Sequence, residues 1–161
     1  MPTVQLRRRP RPSIRAIVAD SEAPLSSRDF AHFLYLFRAA YARCLKLDLP
    51  AEQLLPDIAW LRDTFSSSLS HYSSPRQVAA LFNADLEEDE LEFPTISKAS
   101  PLEFVCYGIV PALTAAAILS GGKIDLKFMK ITLPPLGVGI RSLREALRLP
   151  PAKPPKKRKS K

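Results

Sequence analysis

"SPLEFVCYGIVPALTAAAILSGG", residues 100–122, decides how this chain is read, because no charge occurs from Phe104 to Gly122. Ser100, Pro101 and Glu103 have the pattern of a capping box: a cap hydroxyl, a proline in the first turn and a carboxylate three residues on. Gly121 and Gly122 can supply the left-handed stop at the far end. The spacing predicts one apolar helix over 104–120 and leaves two roles for Phe104, Val105, Ile109, Val110, Leu113, Ile118 and Leu119. They form the all-round buried centre of a small domain, or they enter or lie against a membrane. From Phe104 to Gly122 is 19 residues, and about 1.5 Å for each reaches roughly 28 Å against a hydrocarbon core of about 30 Å. Tyr107, Gly108, Pro111, Thr114, Ser120 and the intervening alanines dilute the segment, however. Acidic residues precede it while Lys123, Lys127 and Lys130 follow, so a span would leave about a hundred signal-less residues outside. The core reading is favoured.

Working outward, residues 27–46 place Phe30, Phe33, Leu34, Phe37, Tyr41, Cys44 and Leu45 three and four apart, which predicts an amphipathic helix started by Ser26 or Ser27. "LPAEQLLPDIAWLRDTFSSSL" reads as one helix kinked near Pro56 or as two short ones. A serine-rich loop follows. Ser74 and Pro75 then open another helix in "SSPRQVAALFN". The acidic run within residues 85–92 reads as a solvated connector, and "LEFPTISK" as a short strand. After the glycine stop, "KIDLKFMKITL" alternates Ile124, Leu126 and Phe128 against charges and predicts one strand, and "VGIRSLREALRL" a last short helix. "TVQLRRR" and "SIRAIVA" are β-prone runs that form either a hairpin or an extended arm. The fold class is α+β, mostly helical. Its parts are a basic N-terminal arm or hairpin (1–20), one small globular domain (21–149) with a central apolar helix, and a disordered basic tail (150–161).

The formal charge of +8 resides at the ends. Arg7, Arg8, Arg9, Arg11 and Arg15 open the chain, six basic residues close it, and the body between is mildly acidic. Polyanion contact is therefore expected from the termini: Arg7, Arg8, Arg9 and Arg11 on one side, Lys156, Lys157, Arg158 and Lys159 on the other. The last four, preceded by prolines, also resemble a nuclear import signal, which would act if the protein were made in or delivered to a eukaryotic cell. No apolar stretch follows the early arginines as in a secretory signal, so cytoplasmic residence is expected, with membrane association if the apolar helix reaches a bilayer.

The order strand, "SPLE" helix start, apolar helix, glycine stop and strand, over residues 91–135, resembles a layout of small uncharacterised bacterial proteins. The resemblance implies a bacterial accessory protein and no particular activity.

Little chemistry is written in the residues. His32 and His71 read as surface histidines. Asp57, Asp63, Glu87 and Glu90 read as solvated carboxylates rather than metal ligands. "SGGK" and "GVG" lack the spacing of a phosphate loop. Cys44 and Cys106 sit among apolar neighbours and read as buried thiols. No catalytic residue, cofactor, metal or small-molecule substrate is expected. The expectation is a non-enzymatic interaction protein with a protein partner, membrane association through 104–120 as an extension, and nucleic-acid association through the two basic ends as the alternative.

Overall fold

The computed structural model describes residues 13–18, 26–47, 58–68, 74–97, 102–125 and 127–150. A five-stranded mixed sheet forms one layer and helices the other. The strands are β1 (Ser13–Val18), β2 (Glu92–Ser97), β3 (Glu103–Tyr107), β4 (Lys123–Asp125) and β5 (Lys130–Leu133), in the order β2-β3-β1-β5-β4. β1 runs parallel to β5, and every other pairing is antiparallel. The helices are α1 (Ser27–Leu47), α2 (Ile58–Ser67), α3 (Pro75–Phe82), α4 (Val110–Leu119) and α5 (Leu136–Ala146). The α+β class with a helical majority is thus correct.

The decisive stretch divides in two. Residues 103–107 are strand β3, and only after Gly108 does the chain turn into α4. The predicted helix over 104–120 is therefore too long by its first turn and a half: Phe104 and Val105 are strand residues, and Ile109 is the helix cap. Glu103 does not close a capping box but reaches across β1 to Arg15; Ser100 and Pro101 lie outside the described residues. "FVCY" is aromatic, β-branched and small, a composition that suits a pleated surface.

Gly108 marks the change of direction for a packing reason. A Cβ there would lie 3.1 Å from the Tyr41 hydroxyl and 3.3 Å from Leu91. That hydroxyl donates to the Asp89 carbonyl at 2.6 Å and accepts from the Ile109 N–H at 2.9 Å. It thereby satisfies one of the open donors at the start of α4. The far end follows expectation: Gly121 sits at φ +83°, its N–H donates to Ile118, and the Gly122 N–H donates to Ala117, a Schellman stop.

Every residue of α4 from Ala112 to Leu119 is buried. This helix is wrapped on all sides, which is why it is apolar on all sides. Around it lie the inward residues of the sheet (Ile14, Ala16 and Val18 of β1, Phe104 and Cys106 of β3, Ile131 and Leu133 of β5) and the apolar face of α1 with Phe33, Leu36, Phe37 and Ala40. Phe30 of α1 meets the Phe104 ring at 6.5 Å, and Phe93 of β2 meets it at 5.5 Å. Ser74 caps α3 with a reciprocal bond to Gln77 at each end, as its sequence predicts.

Two further expectations change. β1 has β3 on one edge and β5 on the other. β1 therefore belongs to the middle of the sheet, while residues 1–12, on which the other half of the expected hairpin or arm falls, lie outside the described residues. "KIDLKFMKITL" is not one strand but a β4–β5 hairpin. The Asp125 carboxylate accepts the N–H groups of Lys127 at 3.0 Å and Phe128 at 3.3 Å, and Met129 takes φ 49°, which reverses the chain.

Candidate functional site

The apolar segment, offered above to a core or to a membrane, is core. Phe104, Leu113, Ile118 and Leu119 are buried, while Val105, Ile109 and Val110 are half-buried within the fold. Among the described residues no helix is long and apolar enough to cross a membrane. α4 has ten residues, about 15 Å of helix, and is buried from Ala112 to Leu119.

The candidate chemical groups are scattered. His32 is half-buried on α1, and desolvation, followed by the nearby Arg144, lowers its pKa from the ordinary value of 6.5. Asp63 is exposed on α2. Glu90 is engaged: Arg38 of α1 grips both its oxygens, at 2.8 and 2.6 Å, while also donating to the Ala84 carbonyl and lying over the Phe82 ring. This pair fastens the acidic connector to α1, so the connector is not wholly solvated. His71 and Asp57 lie outside the described residues. Cys44 and Cys106 are buried, and burial pushes both thiols up to about 12. A depression of about 140 Å³ lined by Arg62, Leu119, Ser142, Glu145 and Ala146 is small beside the roughly 300–1,000 Å³ of ordinary ligand pockets.

What the fold brings together is the other face of the sheet. Alternation in β1, β3 and β5 sends Arg15, Ile17, Glu103, Val105, Tyr107, Lys130 and Thr132 away from the core, and Lys123 and Asp125 join them from β4. The register aligns Val105, Arg15, Lys130 and Asp125 in one row and Glu103, Ile17, Thr132 and Lys123 in the next. Charge is divided across it. Glu92 and Glu103 mark the β2–β3 side, where Glu103 pairs with Arg15 at 2.6 Å. Lys123, Lys127 and Lys130 mark the β4–β5 side, and the acid among them, Asp125, is turned to the backbone of its own hairpin.

The hairpin turn carries Phe128, 71% exposed, with the Lys127 ammonium 5.6 Å from its ring centre. The turn is bound to the sheet's middle, since the Arg15 N–H donates to the Met129 carbonyl at 3.1 Å. β1 begins at this same end of the sheet. Ser13, its first residue, pairs with Tyr107. Arg7, Arg8, Arg9 and Arg11, and Lys156, Lys157, Arg158 and Lys159 at the other terminus, lie outside the described residues themselves. Sequence reading found the terminal charge and missed the hairpin. The signal available was "KFMK", one aromatic between two lysines, hidden by assigning Phe128 to the buried phase of a strand.

No known protein family, curated protein or solved structure matches the chain.

Proposed function

We propose that this chain is a non-enzymatic nucleic-acid-associated protein that holds phosphate backbone at the hairpin end of its sheet, with the N-terminal arginines and the basic tail as further cations. One observation supports the reading above all. The parallel pairing of β1 with β5 puts Lys130 opposite Arg15, and β4 and the turn add Lys123 and Lys127 to the same side of the sheet, a group of cations on an otherwise mildly acidic body. Backbone neutralisation by lysine and arginine releases condensed counterions and needs no catalytic group. On this reading the protein works in the cytoplasm, or in the nucleus of a eukaryotic cell, where Lys156 to Lys159 would also serve import.

The test is fluorescence anisotropy of the full chain with a labelled oligonucleotide across a salt series. Replacing Lys123, Lys127 and Lys130 together by alanine should weaken binding and flatten the dependence of log K on log salt by about 2, roughly 0.7 for each phosphate of a single strand that is no longer neutralised. Unchanged affinity and slope would remove the hairpin from the site.

A protein partner is the second reading, favoured by the half-buried Ile17 and Val105 at the middle of the same face. On that reading Ile17→Lys abolishes the complex while the triple alanine variant leaves it intact.

A further inference from the structure

The lysines of the β4–β5 hairpin account for backbone contact; Phe128 is not explained by them. A phenylalanine 71% exposed contributes almost nothing to a core, and its position is built rather than incidental. Asp125 holds the backbone N–H of Phe128 itself, and the next residue is tied to β1 through the Met129 carbonyl. The ring therefore stands on a braced turn, between Lys127 and Lys130 in the chain. The Lys127 ammonium lies over the ring, 5.6 Å from its centre, and an exposed aromatic with cations close by is the combination that single-stranded nucleic acid uses: the cations track the phosphates while a base lies on a face of the ring. A duplex cannot offer a base to such a ring without unstacking.

Resting on the nucleic-acid reading above, we propose that Phe128 is a base-stacking platform and that the preferred ligand is single-stranded DNA or RNA rather than duplex. The ring makes no demand on base identity, so recognition is tolerant of sequence.

The experiment uses the full-length protein with a labelled 12-nucleotide single strand and the corresponding duplex, at fixed salt, comparing Phe128→Ala, Phe128→Leu and Phe128→Trp. The wild type should bind the single strand more tightly. Alanine and leucine should each weaken it roughly 5- to 100-fold, tryptophan should preserve it, and duplex affinity and the salt slope should stay unchanged. The side chain is at the surface, so none of these variants should alter the circular dichroism spectrum or the melting temperature. If alanine and leucine variants bind the single strand as tightly as the wild type, stacking is refuted while the lysine-based reading stands. If no oligonucleotide binds at any salt, both readings fail together. A lipid surface is the competing occupant. Binding to phosphatidylserine-containing vesicles that is lost with alanine but kept with leucine, with no preference for single strands, would overturn the proposal in its favour.

Discussion

Tyr41 shows how one side chain governs the path of the chain. It is fully buried, and its hydroxyl joins α1, the turn at Asp89 and the start of α4. Tyr41→Phe keeps the ring and removes the acceptor for Ile109 N–H, leaving a half-buried donor without that bond. A loss of about 1–3 kcal/mol is expected, read as a fall in urea midpoint with unchanged slope; an unchanged midpoint would mean that the bond is not made. Cys44 and Cys106 illustrate the opposite case, groups whose chemistry is suppressed by surroundings. With both thiols raised to about 12 by burial, neither should react with a disulfide reagent at pH 8 until the protein unfolds. Rapid modification of the native protein would contradict their placement. His32 adds a pH dependence of defined sign. Its folded pKa lies below the ordinary 6.5, so the unfolded chain binds the proton more readily. Its contribution to stability is present above 6.5 and lost as pH falls through the lowered folded value. His32→Gln should flatten the stability profile on the acid side of 6.5; a profile unchanged by the substitution would show that the imidazole is not desolvated.

At the scale of elements, α4 and the β4–β5 hairpin teach different lessons. α4 was legible as the central apolar helix, and its glycine stop was legible in detail, because an unbroken apolar run ended by two glycines has few other solutions. Its start was not. Ser100, Pro101 and Glu103 satisfy the capping pattern locally, but "FVCY" gains more as a strand paired with β1, which lies some ninety residues earlier in sequence, and no local rule contains that gain. The hairpin was hidden by a change of phase. Ile124 faces inward with an even number, Ile131 and Leu133 with odd ones, and the shift in parity across Asp125 is the trace of a turn. Because α4 is enclosed, Leu113→Ala should cost about 2–5 kcal/mol, measured by urea unfolding. Ala116→Asp should prevent folding, since an unpaired buried charge costs several kcal/mol against a total stability of about 5–15 kcal/mol. A folded Ala116→Asp protein would place α4 at a surface and revive a membrane role.

At the scale of the whole molecule, composition spoke through its distribution. The net +8 was legible in the sequence as two basic ends on an acidic body. What could not be read was convergence: the parallel pairing of β1 with β5 lays Arg15 beside Lys130 across more than a hundred residues of chain. Non-local pairings of this kind are set by the packing of the entire sheet. If the proposed function holds, this end of the sheet, and not the helical layer, meets the nucleic acid. Amide NMR of the full chain titrated with a single-stranded oligonucleotide addresses it directly. Shifts should concentrate at Arg15, Lys123, Lys127, Phe128 and Lys130 while α1 and α4 stay still; shifts confined to residues 150–161, or spread over the helices, would rule out binding at the hairpin.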